Sequence, residues 1–271
     1  MSLWMVGTLL MLGAAGLLYG YQSRKRGVAT LLATETVQVE FLESLAASMR
    51  EDMGEGSLYY KTEISGVVEC DEPLVSDLAG TECVYYSMSI HRKYEETFYE
   101  TDQQGNRRRR VRSGSEQVAG NERSVRFRVN DGTGVLFVEP GGAEFVAETV
   151  LSAFQPAEGG SDRELRIGDR MIRLAQAVLG NDRRTLGYQL EESVIAVGRQ
   201  VFLLGEVVDD HGTLCMKTPH DDGRFLISTK QEAQLLREGR TQMKWMKFGA
   251  MTAVVLGLLL IIINLVKYLG R

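Results

Sequence analysis

Arg107, Arg108, Arg109, Arg110 and Arg112 place five guanidinium groups within six consecutive positions. A guanidinium stays charged at any working pH and presents a planar fork of donors, so a cluster of them suits phosphate or carboxylate recognition. The run lies in a polar stretch from Thr101 to Glu122, rich in Gln, Gly, Asn and Ser, which reads as a hairpin tip or mobile loop. The bland reading is a solvated loop held apart by its own repulsion. The functional reading is a contact surface for anionic lipid headgroups or an acidic protein partner. Each basic residue near such a surface adds at most about 1 kcal/mol, so these five would act together. Within the stretch, Asp102 and Glu116 are the acids that stand out as carboxylate partners.

Other residue types give weaker signals. The histidines are His91, His211 and His220. His220 lies beside Asp221 and Asp222, but a general base needs a cleft and an orienting partner, and this cluster reads as an exposed turn. No G-x-S-x-G, P-loop, G-x-G-x-x-G or H-E-x-x-H pattern occurs. Asp209-Asp210 and Asp221-Asp222 lack the ligand spacing of a calcium loop. Cys70, Cys83 and Cys215 are widely spaced and form no C-x-x-C, which argues against a zinc site and a disulfide framework. They read as buried thiols, with a Cys70–Cys83 bridge as the alternative in an oxidising compartment. The expectation is therefore no catalytic residue, no cofactor and no metal. A net charge of −5 and a pI near 5.4 argue against a nucleic-acid partner.

Two apolar runs bound whatever positions these residues. Leu3 to Tyr21 and Phe248 to Val266 carry no charge. A helix needs about 20 mostly apolar residues to cross the hydrocarbon core. Trp4, Tyr19, Tyr21, Trp245 and Tyr268 mark the interfaces. The basic cluster Arg24-Lys25-Arg26 follows the first run rather than preceding it, so a retained anchor is expected in place of a cleaved signal peptide. Lys and Arg flank the inner ends of both runs, at Arg24–Arg26 and at Arg237, Arg240, Lys244 and Lys247. By the positive-inside rule the central domain faces the cytoplasm.

Between the spans, residues 28–53 read as a juxtamembrane amphipathic helix, with Leu42, Leu45, Ala46, Met49 and Met53 at helical spacing and Thr34 as its cap. It would pack on its own domain or on a second copy of the chain. Residues 58–228 are mostly β: alternation at Val125, Phe127 and Val129 and at Leu186, Tyr188 and Leu190, with turns at Asn130-Asp131-Gly132 and Asp209-Asp210-His211-Gly212. The fold class is a mainly β soluble domain, a sandwich or partly open barrel, with accessory helices and a transmembrane helix at each end. A helix is expected at 169–179. Thr229 and Glu232 form a T-x-x-E capping box ahead of a connecting helix, 229–247, that runs into the second span at 248–266.

Two stretches carry a family resemblance. One is Gly66-Val67-Val68 with Glu72-Pro73-Leu74 and the strand from Cys83. The other is Leu190-Glu191-Glu192-Ser193-Val194-Ile195-Ala196-Val197-Gly198, then Gly205-Glu206-Val207, Leu214, Pro219, Phe225 and Ser228. With the flanking spans, this resembles the GIDE domain, also called the Besides-a-Membrane domain, the central part of a mitochondrial RING-type E3 ubiquitin ligase. The resemblance covers roughly residues 28 to 271 and implies a membrane-flanked module. In the family a RING finger follows the second span. Here Arg271 comes five residues after Val266, and the sequence holds no closely spaced Cys and His set that could hold zinc. The resemblance thus carries ligase catalysis onto no residue. It implies a binding, sensing or scaffold module, or a ligase component whose partner supplies the RING. The family's topology also implies a domain on the side opposite to the one the charge rule gives.

Overall fold

The computed structural model describes residues 3–54, 56–101, 105–157, 164–167, 170–173, 183–221 and 223–269. Two long helices, α1 (Leu3–Ala33) and α3 (Glu232–Leu269), are long and apolar enough to cross a membrane. They run antiparallel, with Gly7 against Gly257 and Leu17 against Gly249. A Cβ on Gly7 would stand 2.9 Å from Ile261 Cγ1 and 3.2 Å from the Gly257 carbonyl oxygen. Ala14 and Ala250 are buried in the same seam. Small residues let two backbones approach where there is no water to drive them together.

The helix expected over 28–53 is two helices. The first span's helix continues to Ala33, and α2 (Val39–Met53) starts after a break at Thr34–Gln38. The break has a cause: the chain runs along the edge of strand β1 (Tyr59–Glu69). Val37 N–H donates to Glu63 O (3.1 Å), Glu63 N–H to Glu35 O (3.3 Å), and Thr62 Oγ1 to Glu35 O (2.9 Å). The N-cap position of α2 is Gln38, so Thr34 lies four residues before the cap. The orphan N–H of Val39 is taken instead by Asp131 Oδ2 at 2.8 Å, from a turn 92 residues away. Val39, Leu42 and Ala46 are buried, so α2 packs on its own domain.

The domain contains a closed five-stranded barrel: β1, β5 (Phe127–Asn130), β6 (Val135–Val138), β13 (Thr213–Lys217) and β12 (Gln200–Asp210), which returns to β1. Numbered along the chain, these strands lie in the order 1-2-3-5-4-1, with the third and fifth parallel. That is the arrangement of an OB-type barrel. Ile64, Val129, Leu136, Leu203 and Met216 fill it, and α2 closes one end. The turn between β5 and β6 and that between β12 and β13 meet the helix, the latter through Arg50 Nη2–Asp209 Oδ2 at 3.0 Å. Outside the ring, β14 (Leu226–Ser228) pairs with β12, and β7 (Glu144–Val146) pairs with β14.

A second sheet is inserted between the barrel strands. Its order is β2 (Leu74–Val75), β3 (Glu82–Thr101), β11 (Arg183–Ala196) and β8 (Glu148–Pro156), with β4 (Arg107–Ser124) also on β3. One face carries a core of its own, with Met88, Ile90, Val118, Tyr188 and Leu190. The loop 76–81 is tied to that sheet by Glu192. Its buried carboxylate accepts Ser76 Oγ–H (2.9 Å), Leu78 N–H (2.8 Å) and Ala79 N–H (2.7 Å).

Three local expectations change. In the helix expected at 169–179, residues Arg170–Arg173 are a strand, β10, paired with β9 (Glu164–Ile167). Residues 169 and 174–179 lie outside the described residues. The T-x-x-E box does not form, because Thr229 gives its hydroxyl to Val146 O (3.1 Å) and α3 begins at Glu232. Cys70, Cys83 and Cys215 are free thiols, the last two buried. Burial pushes the Cys83 thiol up to about 11, so it stays protonated and inert at neutral pH.

Candidate functional site

The stretch from Thr101 to Glu122 is mostly strand rather than loop. β4 carries all five arginines and pairs with β3 from Thr101↔Arg107 to Tyr85↔Ser124. Among the described residues β11 accompanies β3 as far as Glu96, and residues 97–101 pair with 107–111 as a two-stranded arm beyond it. The outer edge of β4 pairs with no other strand among the described residues.

Register sorts the arginines between two faces, because residues directly opposite each other project to the same side. Glu96↔Arg112, Phe98↔Arg110 and Glu100↔Arg108 share one face. Arg112 Nε donates to Glu96 Oε2 (2.6 Å), and its guanidinium sits 5.7 Å from the Phe98 ring centroid. Arg110 Nε donates to Glu100 Oε2 (3.1 Å). Arg183 Nε, from β11, joins Glu96 Oε1 at 3.1 Å and covers the Tyr94 ring at 4.8 Å. The hydrogen bonds from Arg112 and Arg183 hold the Glu96 carboxyl below the usual carboxylate range. Further down the face, Arg92 Nη2 lies 2.6 Å from Glu116 Oε1. By distance this is an ion pair, but its angle is not that of a hydrogen bond, and Nε and Nη1 of this buried guanidinium have no hydrogen-bond partner among the described residues. The result is a ladder of alternating charge and aromatic rings in which Arg110 and Arg112 are already neutralised.

The opposite face holds Thr97↔Val111, Tyr99↔Arg109 and Thr101↔Arg107. Tyr99 is 62% exposed and Val111 53%. Arg107 and Arg109 make no ion pair among the described residues. Sequence reasoning singled out the arginines but missed Glu96 and Glu100 as partners. The signal was present: reflecting β3 through a turn near Gly105 sets Glu96 against Arg112 and Glu100 against Arg108.

Two further places gather polar and charged side chains. The first is a cleft of about 490 Å³ lined by Tyr59, Glu206, Asp210, Lys217, Thr218 and His220, among others. His220 pairs with Glu206 there: its Nδ1 is 2.9 Å from Oε2, and its backbone N–H donates to the same oxygen at 3.2 Å. Asp222 lies outside the described residues. The dyad orients an imidazole, but among the described residues no hydroxyl or thiol nucleophile is bonded to it, and Thr218 gives its hydroxyl to Gly141 O (2.6 Å). Lys217 is engaged by Asp210 (3.2 Å) and Lys61 by Asp221. Among the described residues no group of three His, Cys, Asp or Glu could hold a metal ion.

The second place is the outer face of β5 and β6, where OB-type barrels take their ligands. Arg126 covers the Phe137 ring at 4.6 Å and lies 4.0 Å from Glu139. Arg128 is tied to Asp71 (2.6 Å) and Asn130 to Glu69 (3.0 Å). These groups satisfy one another. The unpaired arginines of the arm are the more available set.

A family model, GIDE, described as E3 Ubiquitin ligase, matches residues 95–262. That range holds the arm, four of the five barrel strands and most of α3. No curated protein and no solved structure matches the chain.

Proposed function

The chain belongs to the GIDE family, and on that premise we propose that it is a membrane-anchored, non-catalytic binding or scaffold module with a docking arm. α1 and α3 hold the barrel at the bilayer, and the arm meets an anionic surface, either lipid headgroups or an acidic protein, through Arg107 and Arg109, on the face away from the Glu96–Arg112 and Glu100–Arg110 pairs. The observation that carries this reading is the arm itself: a cationic pair of strands in which Arg107 and Arg109 have no acidic partner among the described residues. The basic residues at the inner ends of both spans support a cytoplasmic domain.

A second reading is favoured by the family's description. The chain would be the membrane module of an E3 ubiquitin ligase, with the RING supplied by a partner. Ubiquitin transfer by the full chain in bilayers, with and without an added RING protein, separates the two. Transfer by the chain alone would overturn the non-catalytic reading. Transfer stimulated by the chain only when the RING protein is present would favour the second. A cysteine placed at Gly105 and treated with an impermeant thiol reagent tests the side, since labelling in intact cells would put the domain outside.

A further inference from the structure

We propose that the docking surface is the open face of the arm and its sheet, formed by Lys93, Arg107, Arg109 and Arg184 around Tyr99, and that its partner is the phosphate layer of an anionic membrane. This rests on the reading of the arm as a docking element and narrows it to one face and one partner. Lys93↔Ser115, Tyr99↔Arg109 and Thr101↔Arg107 alternate along β3 and β4 on a single side. Arg184 of β11 sits opposite Glu95 on that side, which extends the surface onto a third strand. None of the four cations makes an ion pair among the described residues, and Glu95 is the acid set among them. On the other face Arg110 and Arg112 are bound to Glu100 and Glu96. The same sequence run thus divides into a self-neutralised side and an open one.

The chemistry of the open side fits a membrane better than a folded protein. It is an extended sheet surface rather than a pocket, and it places an exposed tyrosine among cations. Tyrosine has an apolar body and a polar tip and favours the headgroup layer. Guanidinium groups take phosphate oxygens through paired donors. The net charge of −5 for the whole chain makes this cationic region local and directional. The domain is also tethered, so a weak attraction suffices, because tethering raises the effective concentration of headgroups.

The test uses the full chain in neutral phosphatidylcholine nanodiscs, measured for capture by phosphatidylserine-containing vesicles, by phosphatidylcholine vesicles and by polyglutamate. Wild type should take the phosphatidylserine vesicles alone, and less so as salt rises. Combining Lys93→Gln, Arg107→Gln, Arg109→Gln and Arg184→Gln should weaken capture by roughly tenfold or more. Arg110→Gln with Arg112→Gln should leave it within about twofold. Arg107→Lys with Arg109→Lys should retain it, which separates charge loss from misfolding. Loss in the Arg110/Arg112 variant with retention in the open-face variant would overturn the proposal while leaving the arm as a docking element. So would loss of capture in the lysine variant. Binding of polyglutamate without vesicles would move the partner to an acidic protein. Binding of neither probe by wild type would remove both the proposal and the reading beneath it.

Discussion

The carboxyl of Glu63, on β1, is buried to 1% exposure within reach of the charge of Glu232, the first residue of α3. Burial, then the Glu232 charge, raise Glu63 to about 7, against a weaker opposing hydrogen bond from Thr36; its Oε1 has no hydrogen-bond partner among the described residues. The group sits where three segments meet: the exit from α1, the edge of β1 and the start of α3.

The sign of the pH dependence follows. The folded state holds this proton more tightly than the unfolded chain, whose Glu titrates near 4.5. The stability it contributes is full below about 4.5 and is lost as pH rises through about 7. The loss amounts to roughly 3 kcal/mol at alkaline pH, at about 1.4 kcal/mol per unit. Thermal melts of the full chain should show lower stability at pH 8 than at pH 5.5, and Glu63→Gln should flatten that difference. A wild-type profile flat between these values would refute the assignment.

Asp131 behaves in the opposite sense. Burial raises it, but hydrogen bonds from Val39, Thr133 and Gly134 outweigh that and leave it lowered. Its contribution is present above the ordinary aspartate range and is lost as pH falls through the lowered value. Asp131→Ala removes the cap of α2 as well as the turn it braces, and should cost about 1–2 kcal/mol. Chemical denaturation with circular dichroism measures this, and an unchanged midpoint would show that α2 does not depend on the cap.

Glu192→Ala should be more damaging. It strips three donors of their acceptor inside the sheet, two of them backbone N–H groups. A loss of roughly 3 kcal/mol or more is expected, since hydrogen bonds to charged groups are worth about 1.5–3 kcal/mol each and do not add fully. Faster proteolysis within loop 76–81 would accompany it. A variant as stable as wild type would mean the loop is held by other contacts.

Gly7→Leu should part the helix pair, since even a Cβ there meets Ile261 and the Gly257 backbone. Cysteines at Leu17 and Gly249, which face each other, should cross-link in the otherwise wild-type chain. With Gly7→Leu added, the yield should fall by about half or more, because small-residue seams tolerate little separation. Equal yields would show that the seam adapts.

Much of the fold was legible because it rests on local patterns. Charge-free runs marked the two long apolar helices, alternation marked β5 and β11, and Asx-glycine clusters marked the turns, one of which implied β6 as the return strand. The arm was not legible as strand, since Arg, Gln, Gly, Ser and Asn are not strand formers by themselves. Its order comes from pairing with β3, a non-local effect, and from the Glu96–Arg112 and Glu100–Arg110 contacts across that pairing. Asp131 as the cap of α2, and Glu206 as the partner of His220, join residues far apart in sequence. Thr34 and Thr229 carried good local signals for capping, but both lost to tertiary demands: the chain after α1 is drawn along β1, and Thr229 is drawn to Val146. The family motif around Leu190–Gly198 proves to be the end of a sheet strand with Leu190, Glu192, Val194 and Ile195 buried, and Glu192 clamps loop 76–81 to it.

The unbroken course of α3 sets an altitude. Between Glu232 and the start of the apolar run at Phe248 it makes about four and a half turns, a rise of about 24 Å at 1.5 Å per residue. α1 likewise runs on as helix past its apolar part to Ala33. Two helical legs of fixed length, joined at the seam of small residues, would on the proposed membrane-anchored reading hold the barrel off the hydrocarbon like a platform on paired struts. β3, with 20 residues, is about 66 Å long at 3.3 Å per residue, greater than that clearance. Lengthening or shortening the legs would therefore change which surfaces the arm can touch without altering any residue of the arm.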